Sequence, residues 1–122
     1  MTELDLHKSV AGVLEKFGDR ERWMWTHLPM GGKRPIETAV QLKAMGVKRG
    51  WPDFIFLDYD GRPYFLELKS KTGDQSAEQL AFFRAMRLRG IDCRIARNLG
   101  QALEILSEWR VITINIAKGQ AA

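Results

Sequence analysis

The chain has 122 residues, 45% of them hydrophobic, which suits one domain with an adequate core. Its 19 Lys and Arg against 15 Asp and Glu leave a net charge of +4, a balance that favours a polyanionic partner. The single Cys93 excludes a disulfide framework and a cysteine-based zinc site, and no long apolar run or signal-like N-terminus argues against a soluble, intracellular chain.

Leu4, Val10, Val13, Leu14 and Phe17 recur at helical spacing, and Gly18 stops that helix. Arg22 to His27 reads as a strand and Pro29 to Lys33 as a Gly-rich loop. Pro35 suits a helix start, and the pattern runs through Val40, Leu42 and Met45 to Gly46. Phe54 to Leu57 and Pro63 to Leu66 read as two strands of a hairpin. Ser76 to Arg89 is a helix with Leu80, Phe83 and Met86 inward and Gly90 as its stop. Ile91 to Ala96 is a strand, and Asn98 caps a last helix through Leu103, Leu106 and Trp109. The β-branched stretch Val111 to Ile116 reads as a possible terminal strand. The core spans about residues 4–109, residues 110–117 carry that possible strand, and Met1-Thr2 and the tail 118–122 read as loose ends. The order α β α β β α β α, with a possible final β, predicts an α/β single domain: a mixed central sheet flanked by helices.

The hairpin carries the chemistry. Asp53 follows Pro52 at the start of one strand, and Glu67 and Lys69 end the next. Glu67 and Lys69 share a face, because strand side chains alternate with period two. A two-residue Asp60-Gly61 loop would pair Tyr59 with Arg62 and set Asp53 opposite Leu68, on the wrong face. A three-residue Tyr59-Asp60-Gly61 loop pairs Asp58 with Arg62 and sets Asp53 opposite Glu67. That loop wants a left-handed residue at its last position, which Gly61 supplies. Opposed carboxylates repel unless a cation lies between them. Large apolar residues on both faces of these strands make them look central, and charges on a buried strand need a partner or a metal. A bound divalent cation would lower the pKa of its water and stabilise charge on a phosphoryl group.

Several further stretches carry a resemblance. His27-Leu28-Pro29-Met30-Gly31-Gly32-Lys33-Arg34, Leu42 through Asp53, Phe65-Leu66-Glu67-Leu68-Lys69 and Ser76-Ala77-Glu78-Gln79 closely resemble the virus-type replication-repair nuclease (VRR-NUC) domain of the PD-(D/E)XK superfamily. The likeness runs from about His27 to Leu106. It implies a restriction-endonuclease-like fold and a Mg²⁺-dependent nuclease in which Mn²⁺ substitutes. By the resemblance, Asp53 and Glu67 are metal ligands, with the main-chain carbonyl of Leu68 as a further ligand. Lys69 is then the catalytic lysine and Gln79 the motif glutamine beside the site. It also implies branched DNA, such as a four-way junction, as substrate, a homodimer as the acting form, and a bacterial or phage-infected cytoplasm as location. A flap-cutting or restriction-type enzyme and a non-catalytic nucleic-acid-binding module are the alternatives. Met30 stands where the family usually has Asn, and Trp51 is bulkier than the residue usual before Pro-Asp.

Other residues read two ways. Gln79 also completes a capping box with Ser76. Lys33, Arg34, Lys48, Arg49 and Lys71 flank the motif and are expected to contact phosphates. Arg84, Arg87, Arg89, Arg94 and Arg97 suit a solvated face, a DNA track or an interface. Trp23, Trp25 and Trp109 read as core. Glu3, His7 and Glu15 are the first-helix candidates to support a metal, with Glu15 better suited to the surface. His7 and His27 lack metal-ligand spacing, which argues against a zinc site. Val111, Ile112, Ile114 and Ile116 would make a sticky edge that a dimer could cover, or would complete the protomer's own sheet.

Overall fold

The computed structural model describes residues 1–29, 35–115 and 120–121. The order is α1 (Glu3–Phe17), β1 (Met24–His27), α2 (Ile36–Ala44), β2 (Phe54–Leu57), β3 (Pro63–Leu68), α3 (Ala77–Leu88), β4 (Cys93–Ala96) and α4 (Leu99–Glu108). Two short strands follow, β5 (Ile114–Asn115) and β6 (Gln120–Ala121). The central sheet has four strands in the order β1-β2-β3-β4. β1–β2 and β2–β3 are antiparallel and β3–β4 is parallel, with α3 as the crossover. This is the expected mixed sheet flanked by helices.

Strand alternation assigns the two faces. Phe54, Phe56, Leu66, Leu68 and Ala96 are buried with Leu6, Val10 and Leu14 of α1 and Ala102, Ile105 and Leu106 of α4. Ile55, Phe65 and Glu67 take the opposite face, where the Phe82 ring of α3 packs at 5.0 Å from that of Phe65. That face is less covered on β2, where Ile55 and Leu57 are half-buried. The expectation of burial on both sides holds for Phe65 to Leu68 and only in part for β2.

The hairpin takes the three-residue loop. Phe54 pairs with Leu66 and Leu57 with Pro63, so the register runs on to Asp53 opposite Glu67. The Asp58 N–H donates to the Arg62 carbonyl at 3.1 Å, and the Gly61 N–H to the Asp58 carbonyl at 2.9 Å. Gly61 has φ +81°, a conformation that disfavours a Cβ. The Asp58 carboxylate also accepts the Asp60 and Arg62 N–H groups, which pins the loop.

Several expectations are corrected. β1 begins at Met24 rather than Arg22, because Asp19 Oδ1 accepts the Glu21 and Arg22 N–H groups and holds them in a turn. Leu4 and Phe17 are exposed, and Leu6 takes the inward position with Val10 and Leu14. On α3, Phe83 and Met86 are half-buried but Leu80 is exposed. On α2 no residue is buried, and Ile36, Val40 and Met45 face solvent. Trp23 and Trp109 are core, and half-buried Trp25 packs against it. Trp51, 40% exposed, sets its ring 4.8 Å from Phe82 and 6.0 Å from Phe65.

The terminal stretch finishes the protomer's own core. Val111 and Ile112 are buried, and Ile112 bridges to Gly18 rather than joining the central sheet. This removes Val111 and Ile112 from the expected sticky edge. Ile116 lies outside the described residues, as do Met30 and the expected phosphate contacts Lys33 and Arg34.

Candidate metal and phosphoryl site

Asp53 and Glu67 meet at one end of the sheet, where β2 begins and β3 ends. The turn before Asp53 depends on Gly50. Its φ is +93°, and a Cβ there would lie 2.6 Å from the Glu78 carbonyl carbon and oxygen. Gly50 therefore lets the Trp51-Pro52-Asp53 segment run tight against the start of α3. The Leu68 N–H donates to Asp53 Oδ2 at 2.6 Å, which ties the carboxylate to β3.

Glu67 is 2% exposed. Burial, then the neighbouring Asp53 carboxylate, pushes its carboxyl up to about 9, with Lys69 pulling the other way. Gln79 Nε2 donates to Glu67 Oε2 at 2.5 Å. The same carboxamide closes the capping box of α3: Oε1 accepts the Ser76 N–H at 2.8 Å, and Ser76 Oγ accepts the Gln79 N–H at 3.2 Å. Both readings of Gln79 describe one side chain.

These groups line an open cleft of about 810 Å³ together with Lys69, Glu3, His7, Lys8, His27 and Gln75. Lys69 is half-buried, and its N–H continues the β3–β4 ladder to the Ala96 carbonyl at 3.0 Å. Gln75 Nε2 is buried and has no hydrogen-bond partner among the described residues. Of the first-helix candidates, Glu3 and His7 line the cleft. Glu15 instead accepts from Arg20, and both are exposed. Two opposed carboxylates, one of them buried, fit a divalent cation, which Asp53, Glu67 and the Leu68 backbone would hold.

The expected phosphate contacts lie further out. Lys48, Arg49 and Lys71 are exposed and do not line the cleft. The second basic group divides. Arg94 pairs with Glu108 at 3.0 Å and Asp92 at 3.8 Å. Arg97 donates to the Ser70 and Gly73 carbonyls at 2.9 and 2.6 Å, bracing the loop after Lys69. Arg89 donates to the Ala85 carbonyl of its own helix. These three have structural partners, whereas Arg84 and Arg87 are exposed on α3. Burial pushes the Cys93 thiol up to about 12, which leaves it a poor nucleophile.

The histidines lack metal-ligand spacing along the sequence, yet the fold brings both to Asp53. One ligand atom from each of His7, His27 and Asp53 lies within 4.8 Å of the others. Gln75 was not singled out from sequence at all. Its only signal is its position one residue before the capping box.

No family model and no curated protein matches the chain. Solved structures do. One, described as a VRR_NUC domain, aligns with a TM-score of 0.61 at 18% identity, covering 88% of this chain and 96% of that one. Another, a VRR_NUC domain protein, aligns with a TM-score of 0.71 at 17% identity, covering 92% and 90%. Over most of its length, this chain has the fold of a VRR_NUC domain.

Proposed function

We propose that the chain is a divalent-metal-dependent DNA endonuclease of the PD-(D/E)XK type, with Mg²⁺ as its working ion. The observation that carries the reading is the placement of Asp53 opposite buried Glu67, with Lys69 and Gln79 in the same cleft. Fold likeness alone would not license it, because one fold hosts many functions.

Asp53, Glu67 and the Leu68 carbonyl would hold the ion. When bound, the ion lowers the pKa of its water and offsets the negative charge that builds on the phosphoryl oxygens. The Leu68 N–H fixes one Asp53 oxygen, and the Gln79 carboxamide fixes one Glu67 oxygen. Both carboxylates are therefore pre-oriented, which limits reorganisation during reaction. As the ammonium, Lys69 donates a hydrogen bond to the attacking water, orients it and screens charge at phosphorus; as the neutral amine it would instead accept the water's proton. Lys33, Arg34, Lys48, Arg49 and Lys71 contact backbone phosphates and position the strand.

Branched DNA, in particular the four-way junction, is the proposed substrate, cut by a homodimer. The near two-fold symmetry of a junction matches an isologous dimer. The exposed apolar side chains of α2, Ile36, Val40 and Met45, support an association surface in place of the terminal stretch.

The test is a cleavage assay on a four-way junction, a flap, a linear duplex and an RNA duplex, with Mg²⁺, Mn²⁺ or EDTA. Mg²⁺-dependent cutting that is fastest on the junction supports the full reading. Preference for the flap or the linear duplex replaces the substrate but keeps the chemistry. Binding with no cleavage under any ion overturns the enzyme. Light scattering at micromolar concentration tests the dimer, and a monomer mass would remove the geometric basis for paired junction cuts.

A further inference from the structure

Two histidines approach Asp53 from separate elements. His7 lies on α1 and His27 ends β1. His7 Nε2 is 3.6 Å from Asp53 Oδ1. Asp53 Oδ2 is already held by the Leu68 N–H, so Oδ1 is the oxygen turned toward the imidazole. His27 Nδ1 lies 2.8 Å from the Asp53 main-chain oxygen. A carbonyl can only accept, so Nδ1 carries the proton, and in the neutral ring Nε2 keeps its lone pair. Metal-binding histidines are held in this way, with the other ring nitrogen donating to a carbonyl or carboxylate.

The rings are also braced. Their centroids are 5.1 Å apart, edge to face, and lie 5.9 and 5.3 Å from that of Phe54. Phe54 is 1% exposed and gives both imidazoles a fixed wall. Oriented ligands bind a metal with less ordering cost than free ones.

We infer that His7, His27 and Asp53 form a second cation position beside the Asp53–Glu67 pair, built for a borderline transition ion. Mg²⁺ prefers oxygen ligands, whereas imidazole suits ions such as Co²⁺, Ni²⁺, Cu²⁺ or Zn²⁺. Three protein ligands leave coordination positions open to water. The inference rests on these three side chains and not on the nuclease reading, so its test uses no DNA and no cleavage.

The metal-free full chain is titrated with Co²⁺, and its visible absorption is followed. Wild type is expected to bind Co²⁺ at least about tenfold more tightly than Mg²⁺, measured by competition. H7Q and H27Q are each expected to weaken Co²⁺ roughly 10–100-fold, and E15Q, whose exposed carboxylate accepts from Arg20 outside the cleft, to leave it within a few-fold. Wild-type Co²⁺ affinity in both histidine variants would overturn the site, as would an equal loss in E15Q. A second readout needs no variant. The chain has 2 histidines, so their ring protons give two resolvable sets of signals. Substoichiometric Cu²⁺, an ion that imidazole prefers, should broaden both sets at matched occupancy, and two sharp sets would overturn the inference.

Discussion

Gln79 joins the start of α3 to Glu67 through a single carboxamide. Its Oε1 accepts the Ser76 N–H at 2.8 Å, and its Nε2 donates to Glu67 Oε2 at 2.5 Å. The helix cap therefore also sets the orientation of a buried carboxylate. Ser76→Ala removes only the side-chain half of the cap and should cost about 1 kcal/mol of stability. Cleavage in that variant should stay within a few-fold of wild type. Gln79→Leu removes both bonds, and cleavage or cation affinity should fall roughly 10–100-fold. Thermal melts and single-turnover rates on the pair separate the two roles. Equal rates in both variants would leave the Gln79–Glu67 bond without function.

Asp53→Asn, Glu67→Gln and Lys69→Ala should each abolish cleavage while DNA binding in EDTA stays close to wild type. Affinity for nucleic acid comes largely from phosphate contacts, which these residues do not supply. Gel-shift titrations beside cleavage assays would check it. Near-wild-type turnover in either carboxylate variant would sink the mechanism.

The Glu67 carboxyl, pushed up to about 9 by burial and by Asp53, makes stability depend on pH. Between the ordinary value of 4.5 and about 9, the folded chain holds a proton that the unfolded chain has released. Stability then falls as pH rises through that window, in the absence of divalent ions. A bound cation replaces the proton, so the rise in Tm given by Mg²⁺ should be larger at pH 8.5 than at pH 6. Glu67→Gln should flatten both trends. Melting curves with EDTA or Mg²⁺ across that range measure it, and a Mg²⁺ shift independent of pH would contradict the placement of Glu67.

Gly50 and Gly46 form a matched comparison. Both have positive φ, +93° and +95°. A Cβ at position 46 meets nothing within 4 Å, whereas one at position 50 meets the Glu78 backbone at 2.6 Å. Gly46→Ala should cost about 1–2 kcal/mol, the left-handed strain alone. Gly50→Ala adds overpacking of about 1–3 kcal/mol and displaces the segment that carries Asp53. Denaturant titration should rank the two variants in that order, and cleavage should drop further at position 50.

The Asp53–Glu67 opposition was legible in the sequence because its causes are local. Period-two alternation, a Gly at the third loop position and the spacing from Asp53 to Glu67 leave one register that brings the carboxylates to one face. Helix stops and caps were legible for the same reason: Ser76, Asn98 and Gly90 act within one turn of their own positions. Thr2, expected to be loose, instead caps α1 in a box with Asp5. The exposure of α2 was not legible, since its apolar spacing is the same whether that face meets a core or solvent. Val111 and Ile112 pose the same ambiguity, because a β-branched pair looks alike on an edge strand and in a return to the core. Their burial depends on α1 and α4, brought together by the whole fold.

Chain-local geometry thus determined the hairpin, the caps and the face on which Asp53 and Glu67 meet. Tertiary structure alone decided which other groups join them. His7 and His27 stand 20 positions apart on a helix and a strand. Pairing of β1 with β2 sets His27 opposite Phe54, beside Asp53, and the packing of α1 on the sheet brings in His7. No spacing rule along the chain encodes that meeting, because it is made by two independent packing contacts rather than by the periodicity of either element.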